Sequence, residues 1–211
     1  MWIILEGCDG SGKSTLAKEI TRQLIAKGRD VTNTHAGPPS SADKAVAEAT
    51  TSAYSDYTEG SKDLVSDRWG WGCPVYGPLY RPDDDFDGFG ETGESGWRFL
   101  ELFAAARGAY CVLVDVDPDL ARTRLGPRGD DYINVDHLTQ IVEKYRAVYE
   151  RSLIGSAIVQ STEPDDVIEL ATWIIKEAEQ NKISPNLGVW PTYIGSPYPD
   201  RLIFTGPELD D

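Results

Sequence analysis

Histidine, cysteine and methionine are scarce in this chain: two, three and one among 211 residues. Cys8, Cys73 and Cys111 are odd in number, far apart and without metal-ligand spacing. Neither a disulfide framework nor a zinc site is expected, and they read as reduced thiols of a cytoplasmic protein. Long apolar runs are missing too, since no stretch approaches the roughly 20 residues that span a bilayer. Met1–Gly7 carries neither the basic region nor the small-residue cleavage site of a secretory signal. Positive charge is in short supply: 20 Lys and Arg against 35 Asp and Glu give a formal net charge of −15. A field of that sign repels polyanions, which handicaps nucleic acid as the main ligand but leaves room for one small anion in a local basic pocket. With 40% hydrophobic and 26% charged residues, the chain is neither disordered nor a membrane protein, and its length fits one globular domain.

No internal repeat is present, and strand and helix patterns alternate. Residues 1–6 are an apolar run ending in a glycine-rich turn, the pattern of a buried parallel strand. Leu16, Ile20 and Leu24 then recur at helical spacing, and Gly28 closes that helix. Further strands are expected at 30–35, 62–67, 110–115 and 156–160. Residues 96–107 are apolar nearly all round and predict a buried helix, and 135–151 carry a clean apolar stripe. Thr162 and Asp165 predict a capping box opening a helix through about Glu179. Such alternation implies right-handed crossovers and an α/β fold with a mostly parallel sheet, ligands binding beyond the carboxyl ends of its strands. The main domain is read as 1–181. Residues 182–211, rich in proline and aromatics, form a short irregular C-terminal extension.

Gly7-Cys8-Asp9-Gly10-Ser11-Gly12-Lys13-Ser14 satisfies the G-x-x-x-x-G-K-[ST] pattern between a strand and a helix. Its glycines let backbone N–H groups and the helix N-terminus wrap around phosphate oxygens. Lys13 is placed to reach the β- and γ-phosphates and Ser14 to offer its hydroxyl to Mg2+. Residues 7 and 9–15 are therefore the expected nucleoside triphosphate site, on a five-stranded parallel sheet, and the loop alone does not fix what the triphosphate is used for.

Asp67, at the end of an apolar strand, is placed to hold Mg2+ through water or to orient an acceptor. Arg68 beside it is suited to gripping an acceptor phosphate in a bidentate manner; a structural ion pair is the plainer alternative. Arg122, Arg124 and Arg128 stand out in an acidic chain, and Gly126, Pro127 and Gly129 make that segment loop-like, as a closing lid requires. Among Trp69, Trp71, Tyr76 and Tyr80, at least one is a candidate for stacking on a base, although aromatics near a sheet end more often belong to the core. His35 is a weaker candidate as a catalytic base. Residues 83–94 fit the calcium-loop pattern through Asp83, Asp85, Asp87, Gly88 and Glu94, with a solvated acidic loop as the plainer reading.

Ile4 to Thr15, Ser66-Asp67-Arg68-Trp69, and Asp115-Val116-Asp117-Pro118-Asp119 with the following arginines resemble, in order and spacing, the thymidylate kinases and related nucleotide kinases over roughly residues 1–160. The resemblance implies a three-layer P-loop kinase fold with ATP bound at residues 7 and 9–15, and Mg2+-dependent transfer of the ATP γ-phosphoryl to a deoxynucleoside monophosphate, dTMP first among them, in nucleotide supply for DNA synthesis. It implies that Asp9 touches the acceptor sugar or the metal, that Arg68 holds the acceptor phosphate, and that Arg124 and Arg128 act from the lid, Arg122 less so. Such enzymes are often dimers. The chain departs from the family between its second and third strands. Residues 36–61 are short and lack arginine, and His35-Ala36-Gly37-Pro38-Pro39 replaces the family's loop there. Two other readings stay open: a kinase for a hydroxyl acceptor (a deoxynucleoside, or a hydroxymethylated pyrimidine in DNA), and a nucleotide-gated binding module.

Overall fold

The computed structural model describes residues 1–38, 48–51, 62–83, 95–126, 133–161 and 166–183. Five strands, β1 (Trp2–Glu6), β2 (Val31–His35), β3 (Asp63–Asp67), β4 (Ala109–Asp115) and β5 (Ser156–Gln160), make one sheet in the order β2-β3-β1-β4-β5. Every pairing is parallel. Six helices of eight residues or more are described: α1 (Lys13–Ala26), α2 (Gly72–Tyr80), α3 (Ser95–Ala105), α4 (Pro118–Leu125), α5 (Leu138–Glu150) and α6 (Val167–Ile183). This is the expected three-layer α/β architecture.

The two faces of the sheet follow from the two-residue period of its strands. Trp2, Ile4, Leu64, Cys111 and Leu113 point into a core with α2, α3 and α5. Ile3, Leu5, Val65, Val112 and Val114 point the other way, against Leu16, Ile20 and Leu24 of α1 and Ala171, Ile174 and Ile175 of α6. Helix α1 ends as its glycine predicts. Gly28 adopts φ +76°, its N–H reaches Ile25 O at 2.9 Å and the Arg29 N–H reaches Leu24 O at 3.1 Å, satisfying carbonyls the helix leaves open.

One expectation changes. Helix α3 is not buried all round: Phe99 is 51% and Leu102 is 52% exposed. Helix α6 covers the expected C-terminal helix, but the capping pair Thr162 and Asp165 lies outside the described residues. Helix α2, Gly-Cys-Pro-Val-Tyr-Gly-Pro-Leu-Tyr, has two glycines and two prolines and no sequence signal of a helix. Burial of Cys73, Pro74, Val75 and Gly77 holds it in place of propensity. Residues 84–94 and 184–211 also lie outside the described residues, and with them most of the calcium-loop pattern and nearly all of the C-terminal extension. No helix among the described residues is long and apolar enough to cross a membrane.

Register sets out the functional edge. Leu5 pairs with Asp67 and Asp67 with His35, while Glu6 pairs with Leu113 and Asp115 with Gln160. The carboxyl ends of all five strands therefore deliver polar side chains to one rim. The chain runs from β1 into β2 on one side and β4 lies on the other, so the strand order reverses at β1, where the glycine-rich loop leaves the sheet.

Candidate active site

The loop from Gly7 to Ser14 packs against β4 and the start of α1. Gly7 has φ +143°, and a Cβ there would lie 2.5 Å from Val114 O, so only glycine fits. Gly12 caps α1 at φ 91° in the left-handed region, again a position that favours glycine. The first N–H groups of α1 have no intrahelical acceptor and are available to an anion. Lys13 is 5% exposed, and its Nζ bends back to donate to Cys8 O at 2.7 Å. Burial, joined by the nearby Arg68 charge, lowers its pKa to about 8.

The Ser14 hydroxyl donates to Asp67 Oδ2 at 2.6 Å, and His35 Nδ1 lies 3.4 Å from the same oxygen. The other carboxylate oxygen, Oδ1, is buried and accepts no hydrogen bond. A hydroxyl and a carboxylate with a spare oxygen, side by side at the loop, suit a hard cation that takes one or two protein oxygens and completes its shell with water and phosphate. The residues present fit Mg2+.

On the other side of the loop lies a second charged cluster. Arg68 pairs with Asp9 Oδ1, the Tyr76 hydroxyl donates to Asp9 Oδ2 at 2.9 Å, and the Arg68 guanidinium lies 5.1 Å from the Tyr76 ring centre. Burial pushes the Asp9 carboxyl up, but Arg68, Lys13 and these two hydrogen bonds outweigh it and hold the pKa below the ordinary carboxylate value. Arg68 is the single described non-glycine residue with positive φ, at 68°. The strain is held by its own N–H to Leu5 O at 2.8 Å and by Glu6. Glu6 is fully buried, and its Oε1 accepts from the N–H groups of Trp69, Gly70 and Trp71 at 2.9, 2.9 and 3.0 Å. Sequence reasoning missed this role for Glu6. An acidic residue closing an apolar strand was the available signal.

The arginines of the lid segment divide. Arg124 of α4 donates to Gly10 O at 3.1 Å and to Ser161 Oγ at 2.5 Å, so it lies on the loop. Arg122 pairs with Asp119 and donates to Val135 O at 3.5 Å, turned aside from the loop. Arg128 lies outside the described residues. Asp115 is held by Arg146 (Nε 3.0 Å, Nη2 2.8 Å) and Gln160 (3.1 Å). Asp117 caps α4 through the N–H groups of Asp119 and Leu120. The aromatics divide as well. Trp71 is buried, and Trp69 packs edge-on to Trp2 and stacks on Phe103, so both belong to the core. Tyr76 and Tyr80 remain beside the cluster, their rings 6.2 Å apart, with His137 5.5 Å beyond Tyr80.

The YorR protein of Bacillus subtilis, solved in complex with phosphorylated GDP, is 26% identical, with a TM-score of 0.60 over 85% of this chain and 96% of that one. The deoxyadenosine kinase of M. mycoides with bound dCTP superposes with a TM-score of 0.53 at 15% identity, over 84% of this chain and 100% of that one. With dATP bound, the same kinase gives a TM-score of 0.52 at 15% identity, over 83% and 99%. The chain has the P-loop kinase fold. No protein-family model matches it, and no curated protein matches it. The likeness these structures support is broader than the thymidylate kinases: nucleotide and deoxynucleoside kinases of this fold.

Proposed function

We propose that the protein transfers the γ-phosphoryl group of ATP to a deoxynucleoside monophosphate, with dTMP the first acceptor to test. The observation that carries the reading is the Ser14–Asp67 pair at the mouth of a complete phosphate loop, with the spare oxygen of Asp67 buried beside it. Lys13 and the first N–H groups of α1 hold the donor phosphates. Ser14 and Asp67 hold Mg2+, which when bound offsets charge on the β- and γ-phosphates. An acceptor phosphate oxygen attacks the γ-phosphorus, the bond to the β–γ bridging oxygen breaks, and that electron pair leaves with ADP. Catalysis is then positioning and charge stabilisation, and no side chain acts as nucleophile. Arg124, and Arg128 by resemblance, complete the donor side. Tyr76 and Tyr80 offer faces to the acceptor base.

One observation favours a second acceptor class. Arg68, the residue assigned to an acceptor phosphate, is already neutralised by Asp9. A monophosphate must share that guanidinium with the carboxylate or displace it, whereas a deoxynucleoside hydroxyl need do neither. The neighbouring deoxyadenosine kinase fold accords with this alternative. ADP formation and product mass with ATP, Mg2+ and either dTMP or thymidine separate the two. A diphosphate product supports the first reading, a monophosphate product made only from the nucleoside replaces it, and no product from any nucleoside or nucleotide refutes both.

A further inference from the structure

The carbonyl side of the phosphate loop is held by a residue that the G-x-x-x-x-G-K-S pattern does not include. Ser161 follows β5 directly. Its N–H donates to Asp115 O at 2.6 Å, which ties it to the end of β4. Its hydroxyl donates to Ser11 O at 2.7 Å and accepts from Arg124 at 2.5 Å, while Arg124 donates to Gly10 O at 3.1 Å. Two successive carbonyls of the loop are thereby fastened, Ser11 O by Ser161 beyond β5 and Gly10 O by Arg124 of α4. In a planar trans peptide the C=O of one residue and the N–H of the next point in opposite directions. Fastening Gly10 O therefore turns the Ser11 N–H into the loop, where it meets Cys8 O at 3.3 Å, the oxygen that also receives Lys13. Fastening Ser11 O turns the Gly12 N–H away from Ser161 in the same manner. Ser161 Oγ is also the nearest atom to where a Gly12 Cβ would lie, at 3.7 Å.

We infer that Ser161 is a positioning residue for the donor triphosphate: by fastening Ser11 O it orients the Gly12 N–H toward the phosphates, while Arg124, which it contacts, holds Gly10 O and with it the Ser11 N–H on Cys8 O. The inference rests on the reading of residues 7–14 as the donor site. Arg124 accordingly acts through the loop backbone in this state, rather than as a free lid group.

The test is calorimetric titration of the full chain with ATP and Mg2+ without acceptor, on the wild type, Ser161→Ala and Ser161→Thr, with thermal melts alongside. Loss of one hydroxyl bond from an ordered loop is expected to weaken ATP binding about tenfold in Ser161→Ala. Ser161→Thr, which keeps the hydroxyl, restores it. In turnover, KM for ATP rises and KM for the acceptor does not. A Ser161→Ala protein that melts earlier yet binds ATP as the wild type does would overturn the inference, because Ser161 would then only brace the fold. So would a Thr variant as weak as the Ala variant. A wild type that binds ATP but phosphorylates no acceptor removes the kinase reading, while the Ala-against-Thr affinities still decide for or against Ser161.

Discussion

Lys13 carries the sharpest consequence at the residue scale. Burial lowers its pKa to about 8, from 10.5 in the unfolded chain. Between those values the unfolded state binds more protons, so the contribution of Lys13 to stability rises with pH across that window. Ligand binding runs the other way. Phosphate favours the charged amine, so ATP affinity falls as pH climbs through 8, and binding above pH 8 takes up a proton. Calorimetry in two buffers of different ionisation enthalpy reads that proton directly; no buffer dependence at pH 8.5 would mean that Lys13 does not meet the phosphates. Asp67→Asn removes a charge where Mg2+ is expected, and turnover should fall about a hundredfold or more at fixed Mg2+, with partial recovery as Mg2+ is raised. An unchanged Mg2+ requirement would place the metal elsewhere.

At the scale of elements, the joint between β1 and the turn before α2 decides whether Arg68 is presented at all. Glu6 serves three buried N–H groups, and its own pKa is raised by burial, with those bonds working against the shift. Glu6→Ala strands these donors and should cost about 3 kcal/mol or more. A chemical denaturation curve checks it, and a loss under 1 kcal/mol would show that the turn is held by other contacts. The same joint shows what the sequence could and could not tell. The loop, β1, β3 and α1 were legible because glycine pattern, short apolar runs and helical period agree there. Helix α2 was not, because Gly72, Pro74, Gly77 and Pro78 argue against a helix that only tertiary burial stabilises. Trp69 and Trp71 lie in the turn before that helix and Tyr76 and Tyr80 on it, so which of the four reach the site depends on how turn and helix pack together. Composition does not encode this. Nor could spacing distinguish Arg122, paired within its own helix, from Arg124, which reaches across to the loop.

For the molecule as a whole, the −15 charge weighs, in the proposed transfer, for a small nucleotide or nucleoside acceptor over a polymer. KM for a nucleotide acceptor should change by less than about threefold between 50 and 200 mM salt. Binding through six or more DNA phosphates would lose about a thousandfold or more over that range. A steep salt slope would return hydroxymethylated DNA to the front.

The central claim is that phosphoryl transfer happens at the loop of Gly7–Ser14 with Asp67 beside it. Following the labelled γ-phosphoryl of ATP onto the preferred acceptor, in wild type and in Lys13→Ala, tests it most directly. The account predicts transfer by the wild type and a loss of about a hundredfold or more in the variant, with a cooperative thermal transition retained. Transfer by Lys13→Ala at the wild-type rate would contradict it.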